Sequence, residues 1–191
     1  MSKIILLSAK ARHGKNYCAN IMQNNLEQKG YKVNQDMFAK YIKGYLKDYY
    51  DWDGITKDEF YRNKLQQLGT ERIKQELNFK SFHAKRLAED IQICEDSADV
   101  FIITDTRFKD EIYTMKAMFP DDVLTVRIER KDNIGLEGYT SRHKSEIDLD
   151  DFTGFDYTIS NYGDESFKTE VDNLCEEIHK WINKEGNNEN K

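Results

Sequence analysis

The stretch Ser8-Ala9-Lys10-Ala11-Arg12-His13-Gly14-Lys15-Asn16 stands between an apolar run and a segment whose apolar residues repeat at helical spacing. A phosphate-binding loop needs inward-turned backbone N–H groups, a helix N-terminus aimed at the anion, and a lysine reaching the outer phosphates. Gly14-Lys15 supplies the last two. In the pattern GxxxxGK[ST], the first glycine falls on Ala9 and the hydroxyl on Asn16. An alanine is tolerable at that turn if it keeps a negative φ. Asn16 offers an amide oxygen to Mg²⁺ or to an ordered water in place of the hydroxyl. The alternative is a strand-to-helix turn with incidental charges; Lys10 and Arg12 inside the loop count against it. ATP contacts are therefore expected from Lys10, Ala11, Arg12, His13, Gly14, Lys15, Asn16 and Tyr17.

Phosphoryl transfer depends on positioning and charge neutralisation, so further cations should converge on the loop from other segments. Asp105 closes the apolar run Val100–Thr104, where a doubly wound sheet presents residues to its ligand crevice. It suits a water-mediated Mg²⁺ contact or an orienting role at the acceptor phosphate, and equally a helix N-cap. Arg107 suits a bidentate grip on an acceptor phosphate; its spacing to Glu111 also suits a helical ion pair. Residues 129–146 carry Arg130, Lys131, Arg142, His143 and Lys144 around Gly135 and Gly138. They read as a lid that closes on the nucleotide, excludes water and brings Arg142 to the transferred phosphoryl, or as a charged loop without a role. His143 would cap or orient that lid.

These residues need a scaffold. Lys3–Ser8, Lys32–Asp36, Asp99–Thr104, Val123–Ile128 and Asp156–Ser160 read as strands, the first apolar throughout as in a central parallel strand. Helices are expected over 14–29, 110–119 and 165–183. Residues 37–98 read as mainly helical, with apolar stripes Tyr41-Ile42-Tyr45-Leu46, Phe60-Leu65-Leu68-Ile73 and Leu87-Ile91-Cys94. Strands alternating with helices imply a parallel sheet covered on both faces. The aromatic group Tyr41, Tyr45, Tyr49, Tyr50, Trp52 and Phe60 fits core better than a base-stacking platform.

The chain has 191 residues, room for one α/β domain, and a net charge of −6, which disfavours a broad nucleic-acid surface but not a small anionic ligand. No apolar run is long enough for a membrane span. Cys18, Cys94 and Cys175 lack metal-site or disulfide spacing and fit a reducing cytoplasm.

Beyond the loop, AKARHGKN resembles the GKARxGKD segment of deoxynucleoside monophosphate kinases common in bacteriophages and their bacterial relatives. Phe38-Ala39 with Lys43 resembles that family's FAxxxK, and Leu65–Arg72 its LLQxxGTExxR. Ile102–Phe108 with Glu111 resembles DxRFxxE, His143–Glu146 resembles HxSE, and Asp156–Asn161 resembles DxxIxN. The likeness runs in order to about residue 175. It implies an α/β P-loop NTPase fold over 1–184, a parallel central sheet flanked by helices, with a helical acceptor-binding insertion at about 37–98, a lid at about 129–146 and a flexible tail at 185–191. It implies ATP- and Mg²⁺-dependent phosphorylation of a deoxynucleoside 5′-monophosphate in the bacterial cytoplasm, by a monomer or a homodimer. Lys15, Asp105, Arg107 and Arg142 would be catalytic; Lys43, Arg72, Arg107 and Glu111 would bind the acceptor, and Asn161 the adenine. Asn16 and Asp105 would approach the metal through water. Two alternatives stand beside this: a P-loop kinase for another small acceptor such as dephospho-coenzyme A, and a nucleotide-binding module without catalysis. The second is motivated by Ala9, Asn16 and Tyr17, and by FAKYIK lacking the Asp and Pro often found in that segment.

Overall fold

The computed structural model describes residues 1–56, 58–131 and 143–186. Its centre is a five-stranded parallel sheet in the order β2-β3-β1-β4-β5. The strands are β1 Lys3–Ala9, β2 Val33–Asp36, β3 Val100–Thr106, β4 Val123–Arg130 and β5 Tyr157–Asn161. β1 is buried along its whole length because both faces of the sheet are covered. Successive β1 side chains divide between two cores. Ile5 and Leu7 pack with Met22 and Leu26 of α1 (Lys15–Gln28) and with Val171, Leu174 and Ile178 of α7 (Ser166–Gly186). Ile4 and Leu6 pack on the opposite face with Leu87 and Ile91 of α4 (Phe82–Ile93) and with Ile112 and Met115 of α5 (Lys109–Met118).

The expected helical insertion consists of α2 (Lys40–Tyr50), α3 (Glu59–Gln66), a wider π-helical continuation over Gln67–Glu76, and α4. Ile42 and Leu46 are buried, as the first stripe predicts. The second stripe breaks: Ile73 is buried but Phe60 is exposed, because the helix widens at Gln67 and leaves the 3.6-residue phase. The third ends early, since α4 stops at Ile93 and leaves Cys94 exposed. Within the group of six aromatics from Tyr41 to Phe60, Trp52 is buried and donates Nε1–H to the Thr56 carbonyl, whereas Tyr49 and Phe60 face solvent. α7 runs past the expected start of the tail, to Gly186. Most of the expected lid, including Arg142, lies outside the described residues.

Between Leu6 and Ser8 the pairing of β1 with β3 slips. Leu6 faces Ile103 but Ser8 faces Thr106, so β3 carries one extra residue at Thr104-Asp105. Bulges of this kind re-aim a side chain at the end of a strand. Here the slip lies beside the C-terminal ends of β1 and β3, where the phosphate loop leaves the sheet.

Candidate active site

The loop Lys10–Gly14 joins β1 to α1. Ala9 stays within β1, paired with Ile128, and it is absent from the residues with positive φ. An alanine therefore meets no backbone penalty there. Arg12 (φ 66°) and Gly14 (φ 89°) take the left-handed conformations that turn the chain into the helix. Gly14 is needed twice over: a Cβ on it would lie 2.6 Å from Asn161 Nδ2, in a conformation that side chains avoid. Among the described residues, the N–H groups of Gly14, Lys15, Asn16 and Tyr17 have no acceptor. A helix start with unpaired donors and a net dipole suits an anion.

Two strands hold the loop from the far side. Asn161, buried at the end of β5, donates Nδ2–H to the His13 carbonyl at 3.1 Å, and its Oδ1 accepts the Gly163 N–H at 2.8 Å. Both ends of the amide expected at the adenine are thus engaged within the protein. From β4, the Arg130 N–H is donated to His13 Nδ1, and the Arg130 guanidinium donates to the Arg12 carbonyl. Burial and the neighbouring cations hold His13 below its ordinary pKa, and so as a neutral acceptor. Lys10 pairs with Asp150. Tyr17 is exposed, its ring tilted on Phe167.

The loop opens on a cavity of about 650 Å³ that extends to the insertion. Arg12, Lys15, Lys43, Arg62, Lys74 and Arg107 line it, against the three acids Asp105, Glu111 and Glu146. That local excess of positive charge lies in a chain with a net charge of −6. Lys15 has no hydrogen bond or ion pair among the described residues. Burial, reinforced by Arg107 and opposed by Asp105, Glu146 and Glu111, brings its ammonium pKa down to about 8. A half-buried, unpaired ammonium at a helix start is poised for an anion.

Asp105 lines the cavity, but its two oxygens accept the backbone N–H groups of Phe38 at 2.7 Å and Ala39 at 3.0 Å. The carboxylate ties the start of the insertion to the central sheet. Glu111 is buried beneath the turn after β3, where Oε2 accepts the N–H groups of Arg107 and Phe108. The spacing that suggests an Arg107–Glu111 ion pair therefore produces a contact with the arginine's backbone instead. Burial pushes the Glu111 carboxyl up to about 7, opposed first by Lys74. The Arg107 guanidinium turns to Glu146 and to the Ser145 carbonyl.

Asn16 and Lys43 line the cavity as expected. Arg72 does not: it is exposed and paired with Glu76. The π-helical stretch brings Thr70 and Lys74 to the cavity instead. His143 is buried as the N-cap of α6 (Lys144–Ile147), with Nδ1 accepting the Ser145 N–H. Three charged lining residues escape the sequence reading: Arg62, Lys74 and Glu146. Only Glu146 had a signal, the HKSE segment that ends on it.

A five-stranded parallel sheet in this order, with a glycine–lysine loop leading from its central strand into a helix, is the arrangement of the P-loop NTPase fold. Comparison with solved structures agrees. Shikimate kinase from Bacteroides thetaiotaomicron is similar at 15% identity, with 93% of this chain and 98% of that chain covered and a TM-score of 0.52. The protein APE1195 is similar at 14% identity, over 95% and 97% of the two chains, with a TM-score of 0.52. Likeness at this identity concerns the fold alone. No protein-family model matches the chain, and no curated protein sequence matches it significantly.

Proposed function

We propose that the protein transfers the γ-phosphoryl group of ATP to a deoxynucleoside 5′-monophosphate, giving the diphosphate. The observation that carries this reading is one cavity in which the half-buried, unpaired Lys15 faces Arg107 and an insertion bearing Lys43 and Arg62. The excess of basic over acidic groups in its lining suits two phosphate-bearing ligands side by side. The unpaired N–H groups of Gly14–Tyr17 receive the donor phosphates and Lys15 neutralises the outer ones. Arg107 grips the acceptor phosphate with its planar fork. Asp105 holds the insertion, and with it the acceptor, at a fixed distance from the loop.

Mg²⁺ fits as an ion carried largely by phosphates and water. Among the described residues no three His, Cys, Asp or Glu side chains converge on a cage, while Asn16 and Asp105 face the same cavity. Bound there, the ion would supply charge neutralisation on the phosphates.

Product analysis with ATP, Mg²⁺ and each common dNMP and NMP tests the proposal. Formation of a deoxynucleoside diphosphate, lost in Lys15→Ala and impaired through acceptor KM in Arg107→Ala, is the expected result. Nucleotide binding without any diphosphate would overturn it. A second reading, a kinase for a different small acceptor, draws support from the fold shared with shikimate kinase. ATP consumption with a non-nucleotide acceptor in the same assay would favour it.

A further inference from the structure

Lys74 lies on the insertion, and Arg107 lies across the cavity at the end of β3. The two never touch, yet a continuous set of contacts joins them. Lys74 Nζ is 2.9 Å from Asp110 Oδ2, 3.4 Å from Glu111 Oε1 and 3.8 Å above the Phe108 ring. Its side chain is only 7% exposed and that of Glu111 only 4%. The other oxygen of Glu111 accepts the Arg107 N–H at 2.8 Å and the Phe108 N–H at 3.1 Å. The Lys74 ammonium is thereby engaged by two carboxylates and an aromatic ring within the protein, so it does not serve as a free phosphate ligand.

A buried carboxylate keeps its charge only if a cation and hydrogen-bond donors compensate it. Lys74 is the side-chain cation in contact with Glu111. Remove it, and Glu111 either stays charged at a large cost or takes up a proton and loosens its hold on the two N–H groups. Protonation frees the turn that carries the Arg107 guanidinium directly; an uncompensated charge favours withdrawal of the carboxylate towards water, which gives up the same two N–H groups.

Resting on the kinase reading above, we propose that Lys74 is a positioning residue: through Glu111 it fixes Arg107 for the acceptor phosphate. The insertion that forms the acceptor site thus also sets the arginine on the opposite wall. Closure of the insertion and alignment of Arg107 become one event.

The test compares Lys74→Met, Glu111→Gln and the double variant. Met keeps most of the side-chain volume, and Gln keeps an oxygen for the two N–H groups while removing the buried charge. In Lys74→Met the acceptor KM should rise about tenfold, a cost of about 1.4 kcal/mol, with the ATP KM changing less than about twofold. Adding Glu111→Gln should recover most of that loss, because the uncompensated charge is gone. Amide hydrogen exchange at Arg107 and Phe108, followed by NMR, reads the same relay without turnover: faster in Lys74→Met, restored in the double variant. Equal rises in both KM values, unchanged exchange, or a double variant no better than the single one would each overturn the proposal. Wild-type protein that phosphorylates no dNMP would overturn the kinase reading alone, and the exchange measurement would still decide whether Lys74 holds the Arg107 turn.

Discussion

The carboxylate of Glu146 accepts the backbone N–H of Ala11 at 3.1 Å, inside the phosphate loop, while its other oxygen meets the Arg107 guanidinium. The side chain is 8% exposed. One carboxylate thus occupies a loop donor and Arg107 together, both of which the phosphate groups of the proposed ligands would use.

An incoming nucleotide must displace that carboxylate, so Glu146 competes with it. Glu146→Gln keeps the shape but removes the charge, and should tighten binding of a non-hydrolysable ATP analogue by roughly three- to tenfold, up to about 1.4 kcal/mol. Calorimetric titration measures this directly. Weaker binding in the Gln variant would mean that Glu146 supports the loop rather than competing for it.

Lys15 carries a second consequence. Its pKa falls from an ordinary 10.5 to about 8 on folding, so between those pH values the unfolded chain binds more protons than the folded one. Stability contributed at this site therefore rises with pH across that window. At neutral pH the folded protein bears the cost of a partly desolvated ammonium. Lys15→Met should raise the melting temperature by about 2–4 °C per kcal/mol relieved while abolishing nucleotide binding. In the wild type, nucleotide affinity should fall as pH rises above about 8. A melting temperature lowered by Lys15→Met would show that the lysine stabilises the fold.

Gly14→Ala combines left-handed backbone strain, about 1–2 kcal/mol, with a Cβ 2.6 Å from Asn161 Nδ2. The Asn161–His13 bond should break and nucleotide binding should be lost, with a melting temperature lowered by several degrees. Replacing Arg12, which is also left-handed, by Gly should be tolerated structurally and even relieve strain. If Gly14→Ala bound nucleotide normally, the close approach of Asn161 would not shape the loop.

Asp105→Asn removes one of the two acceptors that hold Phe38 and Ala39. One backbone N–H would then lose its partner or face an amide donor, a cost of about 1–3 kcal/mol. The effect should fall on the insertion: acceptor KM up about tenfold, ATP KM nearly unchanged, and faster amide exchange at Phe38 and Ala39. A fall in kcat with both KM values unchanged would instead place Asp105 at the chemistry.

The parts of the site governed by local sequence were legible beforehand. β1, the turn at Gly14 and the helix carrying Lys15 follow one another within a few residues, and the apolar pattern fixes their order. The parts assembled by distant contacts were not. Lys74 meets Asp110 and Glu111, 36 and 37 residues away, and no local pattern marks it. Arg72 was one of the expected acceptor cations, beside Lys43 and Arg107, yet the helix widens at Gln67 and turns it to solvent while Thr70 and Lys74 face inward. Asp105 was read from its place at the strand end, which is correct. The backbone groups it holds depend on the extra residue in β3, which no spacing in the sequence reveals.

Asn161 and the His13 carbonyl that it grips are 148 residues apart. A chain emerging from the ribosome completes β1 and the glycine–lysine turn early, but acquires this clamp only once β5 has docked beside β4. On the proposed function, affinity for nucleotide would therefore arise only at the end of folding, and a tight-binding ATP analogue would pull down finished molecules while passing over truncated ones.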